Sequence, residues 1–442
     1  MQNSTVGWQA GPTERGTLSL VYSCLITIFA CTWTVLHLNV PKVDDGLWKL
    51  AFRKAKWMAI TILFPEFIFS KAICDLRQAL YDLREFDIIQ ARGQQEHAGE
   101  TEMSRLRGGA TEGEDNNLSG RSSSSQEEIP RVHKPQHWTI THAHLANMGG
   151  KYALTGSFLG SHYTWDNAHP LHGLILDEED INDKSKVDSL LRALTVLQAL
   201  WVILTAIVRG ANGLPVSQLE IATSAFSLSA AATYAASWWK PKDVSRPLQL
   251  QEPTDWPLIT PDSTYIIVQR FVLRLTSLFV AHHARFVTPP LRIPNDFVRM
   301  EGNIPLIFTL MACSSFVFGG IHLIAWNFEF PSYPELILWR VSSLTSSILP
   351  LITLGLNIYL NYRLTTHPTK HLIPWLSENL EPLEALRGPF WESVCEFLVL
   401  GTGIIYVASR LIILVLLFTS LRSAPKGIYD NTPWTRFLPN IS

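Results

Sequence analysis

Seven apolar runs punctuate the chain, at residues 17–38, 57–73, 190–208, 219–239, 304–326, 335–360 and 393–418, separated by polar connections. A helix of about 20 apolar residues spans roughly 30 Å, the hydrocarbon thickness of a bilayer. The clearest pair is 304–326 and 335–360, joined by an aromatic, Pro-containing turn. Cys apart, the first contains one ionisable residue, His322, and the second contains Arg340. The pattern predicts an all-α, polytopic transmembrane helical bundle of about seven spans.

The connections subdivide the chain. Residues 1–92 hold the first two predicted spans and an amphipathic juxtamembrane helix in which Leu76, Leu80, Leu83 and Phe86 recur at helical spacing. Pro65, near the middle of the second span, predicts either an earlier start near Leu47 or a kink. Residues 93–135, rich in Gly, Ser, Glu and Gln and without apolar periodicity, read as a disordered linker. Residues 136–189 form a His-rich connecting region, and 190–240 a transmembrane hairpin. The second arm of that hairpin is made largely of Ala, Ser and Thr, which lets helices approach closely, so it should pack inside the bundle. Residues 241–303 read as a polar loop with an interfacial helix at 265–286, and 304–442 as three spans and a tail.

Composition narrows the class. Apolar residues make up 47% and charged residues 17%, against about 25% charged in soluble proteins. Net charge is −2, so nucleic-acid binding has no support. The five cysteines all lie in or beside apolar runs and read as small hydrophobes rather than a disulfide framework. The implied partners are membrane lipids and the implied location is an integral membrane. Orientation is contested: a cytosolic N-terminus places 240–303 and 361–391 inside but leaves the Lys42–Lys56 cluster outside, and the balance leans that way.

Two constellations could carry chemistry. Glu66, His322, Arg340, Glu396 and Arg410 fall at or near membrane depth, where ionisable groups should face the bundle interior and pair; Arg410 with Glu66 is one such pairing. They could line a path, or they could be helix-end residues reaching for the interface, as Glu220 could be. His142, His144, His162, His169 and His172, near Asp166, supply metal-ligand side chains, without the spacing of any tight metal motif. The acidic run 177–180 precedes a helix and fits a helix N-terminus better than a Mg²⁺ site. No Walker loop, GxSxG elbow, Rossmann glycine pattern or CxxC occurs.

The stretches Cys31-Thr32-Trp33 with His37 to Pro41, His142 to Gly150, Leu214-Pro215 with Glu220, Trp238 to Pro241, Phe316 to His322, Ala325 to Phe328 and Leu338-Trp339-Arg340 resemble a group of uncharacterised multi-pass integral membrane proteins of filamentous fungi. Lys151 stands where the resemblance would place an aromatic residue. The resemblance implies a fungal membrane protein and transfers no catalytic residues or cofactor. Two functions fit: a transporter- or channel-like protein with a polar path past His322, Arg340 and Glu396, or a membrane-embedded metal-dependent enzyme on a lipophilic substrate. A non-catalytic scaffold or sensor is the third reading.

Overall fold

The computed structural model describes residues 5–8, 16–41, 45–108, 139–148, 151–153, 186–244, 248–250, 295, 306–365 and 389–430. Among them the fold is all-α, apart from two short two-stranded pairings. The helices are α1 (Thr17–Thr34), α2 (Leu47–Leu63), α3 (Pro65–Gly108), α4 (Ile140–Asn147), α5 (Lys186–Ala211), α6 (Gln218–Ala236), α7 (Leu306–Leu323), α8 (Tyr333–Thr365) and α9 (Pro389–Thr419). Five of them (α1, α5, α7, α8 and α9) contain stretches long and apolar enough to cross a membrane.

Their outward positions are apolar and many inward ones are not. On α8, Leu338, Val341, Leu344, Ile348 and Ile352 are exposed while Ser342, Ser343, Ser346 and Ser347 are buried. On α5, Leu194, Leu197, Leu200, Leu204 and Ile207 face outward. Water would penalise such a surface, and a lipid solvent selects it.

Three apolar clusters fix the direction of each helix. One gathers Leu20, Cys24, Leu219, Ala325, Trp339, Leu417 and Tyr429. A small middle cluster contains Ile28, Phe226 and Phe318. The third gathers Cys31, Leu36, Trp57, Phe64, Tyr234, Ile307 and Phe308. Call the first the Tyr429 end and the third the Lys240 end, since Lys240 follows α6 there. Helix α1 runs from the Tyr429 end to the Lys240 end. Helix α5 returns to where its Arg209 meets Gly427 and Asp430, α6 goes out again, and α7, α8 and α9 alternate in the same way.

The pair α2–α3 breaks this alternation. Trp57, Ile60, Phe64, Phe67 and Ile68 all belong to the Lys240-end cluster, and only Ile62 reaches the middle one. The axes turn by 108° at Phe64. Proline explains the break: Pro65 has no N–H to continue α2, and its ring pushes the preceding residue out of the helical region. Phe64 sits at φ −137°, ψ 62°, while Pro65 is well placed to start α3. The expected span at 57–73 is therefore a helix pair broken at Phe64–Pro65, with both arms packed in the Lys240-end cluster and Ile62 reaching the middle one.

Two further differences have simple causes. The expected span at 219–239 folds as α6 and packs among α1, α3, α5 and α7. Its Ser, Thr, Gln and Glu keep it out of the apolar set, and a helix enclosed by others needs no lipophilic surface. It begins with a capping box: the Glu220 backbone N–H donates to Ser217 Oγ at 3.2 Å, and the Ser217 backbone N–H donates to the Glu220 carboxylate at 2.9 Å. Glu220 is thus a cap. Secondly, α3 continues to Gly108, through residues expected to be disordered. The stretch 94–107 is rich in Gln, Glu and Arg, which favour helix without an apolar stripe. Residues 109–135 of that linker, and the interfacial helix expected at 265–286, lie outside the described residues.

Candidate functional site

The break between α2 and α3 carries a buried, charged cluster. Glu66 is the second residue of α3, where a carboxylate faces the positive end of the helix dipole. It is only 2% exposed. Arg410 on α9 donates from Nη2 to Glu66 Oε2 at 2.9 Å. The Tyr406 hydroxyl, one turn earlier on α9, donates to Glu66 Oε1. Arg410 in turn donates to that phenol oxygen, from Nε at 3.1 Å and from Nη2 at 2.8 Å. The guanidinium carbon lies 4.4 Å from the centre of the Phe318 ring, which supplies a cation–π contact. Each charge is therefore answered within a closed three-residue network.

A cavity of about 60 Å³ adjoins this network. Its walls come from the hinge (Phe64, Glu66), from α7 (Met311, Ser315), from α8 (Pro350, Thr353) and from α9 (Thr402, Tyr406). Pro350 lies inside α8, where it leaves a backbone carbonyl of the preceding turn without its helical donor. The walls are mostly apolar, with a few hydroxyls and the Glu66 carboxylate for polarity. Space for several water molecules exists there.

A second charged cluster closes the Lys240 end. Lys71 Nζ donates to Asp75 at 2.7 Å, and Lys240 Nζ to the same carboxylate at 2.6 Å. His144 of α4 lies against it, 1% exposed. Burial, and next the Lys240 charge, pull the His144 imidazole down to about 3, so it is neutral at physiological pH. Nearby, Lys54 of α2 pairs with Asp243 at 3.0 Å and lies over the Trp33 ring. The segment after α1 runs buried through Leu36, Asn39 and Val40, and the Val40 N–H donates to Met148 O at 3.0 Å.

The other sequence-designated residues separate. His322 is enclosed by Phe318 and Trp339, with Nδ1 2.8 Å from the Phe318 carbonyl. Arg340 donates from Nε to Trp326 O at 3.0 Å and closes the α7–α8 turn. Glu396 lies on α9, with its side chain outside the described set. His322 and Arg340 therefore do not line the cavity; of the five residues proposed for a path, Glu66 does. His142 and His144 share α4, and His142 Nδ1 lies 2.8 Å from Thr139 Oγ1. His162, His169 and His172 lie outside the described residues, as does Asp166. Among the described residues no three His, Cys, Asp or Glu side chains gather to hold a metal ion.

Sequence reasoning does not single out Tyr406, Lys71, Asp75 or Arg209. Arg209, 1% exposed at the end of α5, donates to the carbonyls of Pro215, Gly427, Ile428 and Asp430 at 2.8–3.3 Å. The available signal was its place: an Arg closing an apolar helix just before the Gly210–Leu214 turn.

Comparison with curated proteins and with solved structures finds no match. A family profile, by contrast, matches residues 1–157, 173–260 and 305–441, which is most of the chain. The chain belongs to a family of unknown function, DUF8562.

Proposed function

We propose that this is an integral multi-pass membrane protein of transporter- or channel-like type, in which α2–α3 is a re-entrant hairpin and the cavity beside Glu66 is part of a conduction or binding path. One observation carries the reading: a broken helix starts at mid-bundle, at Pro65–Glu66, beside a cavity and a buried ion pair. Helices interrupted at membrane depth are tolerated where they are buried in protein or line a cavity, and transporters place binding sites at such breaks near the midplane. The apolar exterior of α1, α5, α8 and α9 supports membrane lipids as the surrounding partner. In this reading the path skirts Glu66 and Tyr406 and leaves His322 as a packing residue.

The test asks whether the cavity is reached by water. Thr353→Cys and Ser315→Cys, in a background lacking the native cysteines, are exposed to a small hydrophilic thiosulfonate in sealed membrane vesicles. The proposal expects modification of at least one from one face, and faster modification when Glu66→Gln loosens the ion pair. Two cavity cysteines unreactive from both faces, in a protein that still elutes as a folded species, would overturn it.

A further inference from the structure

The Lys240 end carries an exposed surface that the transport reading does not use. On α2, Leu47, Trp48 and Phe52 are 85%, 90% and 74% exposed. Trp48, Phe52, Ala55 and Ala59 follow helical spacing and form one apolar stripe, with Lys49 and Lys56 along its edge; all six are exposed. Trp238 and Trp239, just beyond α6 at the same end, are 66% and 46% exposed. Aromatic residues interleaved with lysines are the composition of a membrane–water interface with acidic headgroups.

The path of the chain strengthens this. Because α2–α3 enters and leaves at the Lys240 end, the Lys49–Lys56 segment lies at the same end as Lys240 and Lys242. The chain also leaves α6 and enters α7 there, so the connection holding Arg270, Arg274 and Arg285 starts and finishes at that end. At the Tyr429 end, Arg209 and Arg340 are folded onto backbone carbonyls, and Arg422 pairs with Glu335. Counting 57–73 as a crossing would set the two basic segments on opposite sides of a membrane. Treating it as a re-entrant hairpin puts both on one side and removes the conflict.

We infer that the Lys240 end is the cytosolic face, with the tryptophan- and lysine-bearing face of α2 seated in the anionic lipid of that leaflet. The chain then crosses six times (α1, α5, α6, α7, α8 and α9), and residues 5–8 and 424–430 lie on the non-cytosolic side. This rests on the re-entrant reading of α2–α3 but not on whether the Glu66 cavity conducts anything.

Two measurements on the full chain test it. In sealed microsomes with the cytosolic face outward, Lys49→Cys should react with an impermeant maleimide without detergent, and Asn212→Cys only after detergent. Reversed labelling, labelling of both positions from one side, or a glycan on the native sequon at Asn117, which lies between α3 and α4, would overturn the topology. For the lipid, a nitroxide at Phe52→Cys is read for depth in vesicles of phosphatidylcholine with and without phosphatidylserine. The label should be oxygen-accessible and shielded from an aqueous nickel chelate, and it should sit deeper with phosphatidylserine. The Lys49→Gln/Lys56→Gln pair should abolish that dependence. A water-exposed label, or a depth indifferent to phosphatidylserine, would overturn the anionic-lipid contact. The cysteine test at Thr353 reads the cavity separately, so either proposal can fail alone.

Discussion

Gly319 and Gly320 are neighbours on α7 whose alanine variants should differ in sign. A methyl group built at Gly319 lies 2.7 Å from both Cα and N of Ser347 on α8, and 2.8 Å from its Cβ. Backbone cannot swing aside as a side chain does. To restore an ordinary contact of 3.4 Å the two helices must part by 0.7 Å. The hydrogen bond from Ser347 Oγ to Phe316 O, now 3.0 Å, would stretch past useful length. Its loss costs about 1 kcal/mol, and the opened α7–α8 seam costs about 1–3 kcal/mol more. Alanine's better helix propensity returns up to about 1 kcal/mol. The net expectation for Gly319→Ala is a loss of about 1–3 kcal/mol. At Gly320 nothing lies within 4 Å of the added carbon, so only the propensity gain remains. Thermal unfolding of both variants and the parent in one detergent, with activity-independent size-exclusion readout, makes the comparison. Gly319→Ala should melt lowest and Gly320→Ala at or above the parent. Equal melting of the two variants would refute the close approach of α7 and α8.

Three other outcomes follow from buried polar groups. Glu66→Leu strips Arg410 of its carboxylate in a buried site and should cost about 3–5 kcal/mol, while adding Arg410→Met should recover much of the loss; the pair is compared by the same melting assay. Arg209→Lys cannot reach four carbonyls at once and should expose the chain after Ser420 to limited proteolysis, without altering cleavage elsewhere. His144, lowered to about 3 from an ordinary 6.5, stays neutral when folded. The unfolded chain therefore binds the extra proton, so the stability tied to this group is complete above about pH 6.5. It is lost on acidification towards pH 3, at up to about 1.4 kcal/mol per pH unit. His144→Gln should flatten the melting temperature between pH 4 and 6.5, and an unchanged slope would exclude His144 as its source.

Hydropathy located the five long apolar helices because their outward positions are apolar whatever they pack against inside. It could not report the direction of 57–73, since apolar length is the same for a crossing and for a hairpin that turns back at Pro65. It also underestimates helix in 94–107, because periodicity measures an apolar face and not the backbone. The Glu66–Arg410 pairing is suggested by the cost of charge in lipid, but its third member is not: Tyr406 looks like any aromatic in an apolar run until α9 meets the α3 N-terminus. Gly319 stands near His322 in sequence, yet the approach it permits is to Ser347, and His322 meets Trp339 instead. The Lys71–Asp75–Lys240 cluster joins residues 165 apart in sequence, a relation no local pattern encodes.

Helix α3 spans 44 residues without interruption, from Glu66 in the middle of the bundle to Gly108. At 1.5 Å per residue that is a rod of about 66 Å. The Glu66–Arg410 pair, the Lys240–Asp75 bridge and the hydrogen bond from Asn147 to Asp82 all fasten the first half of that rod, between residues 66 and 82.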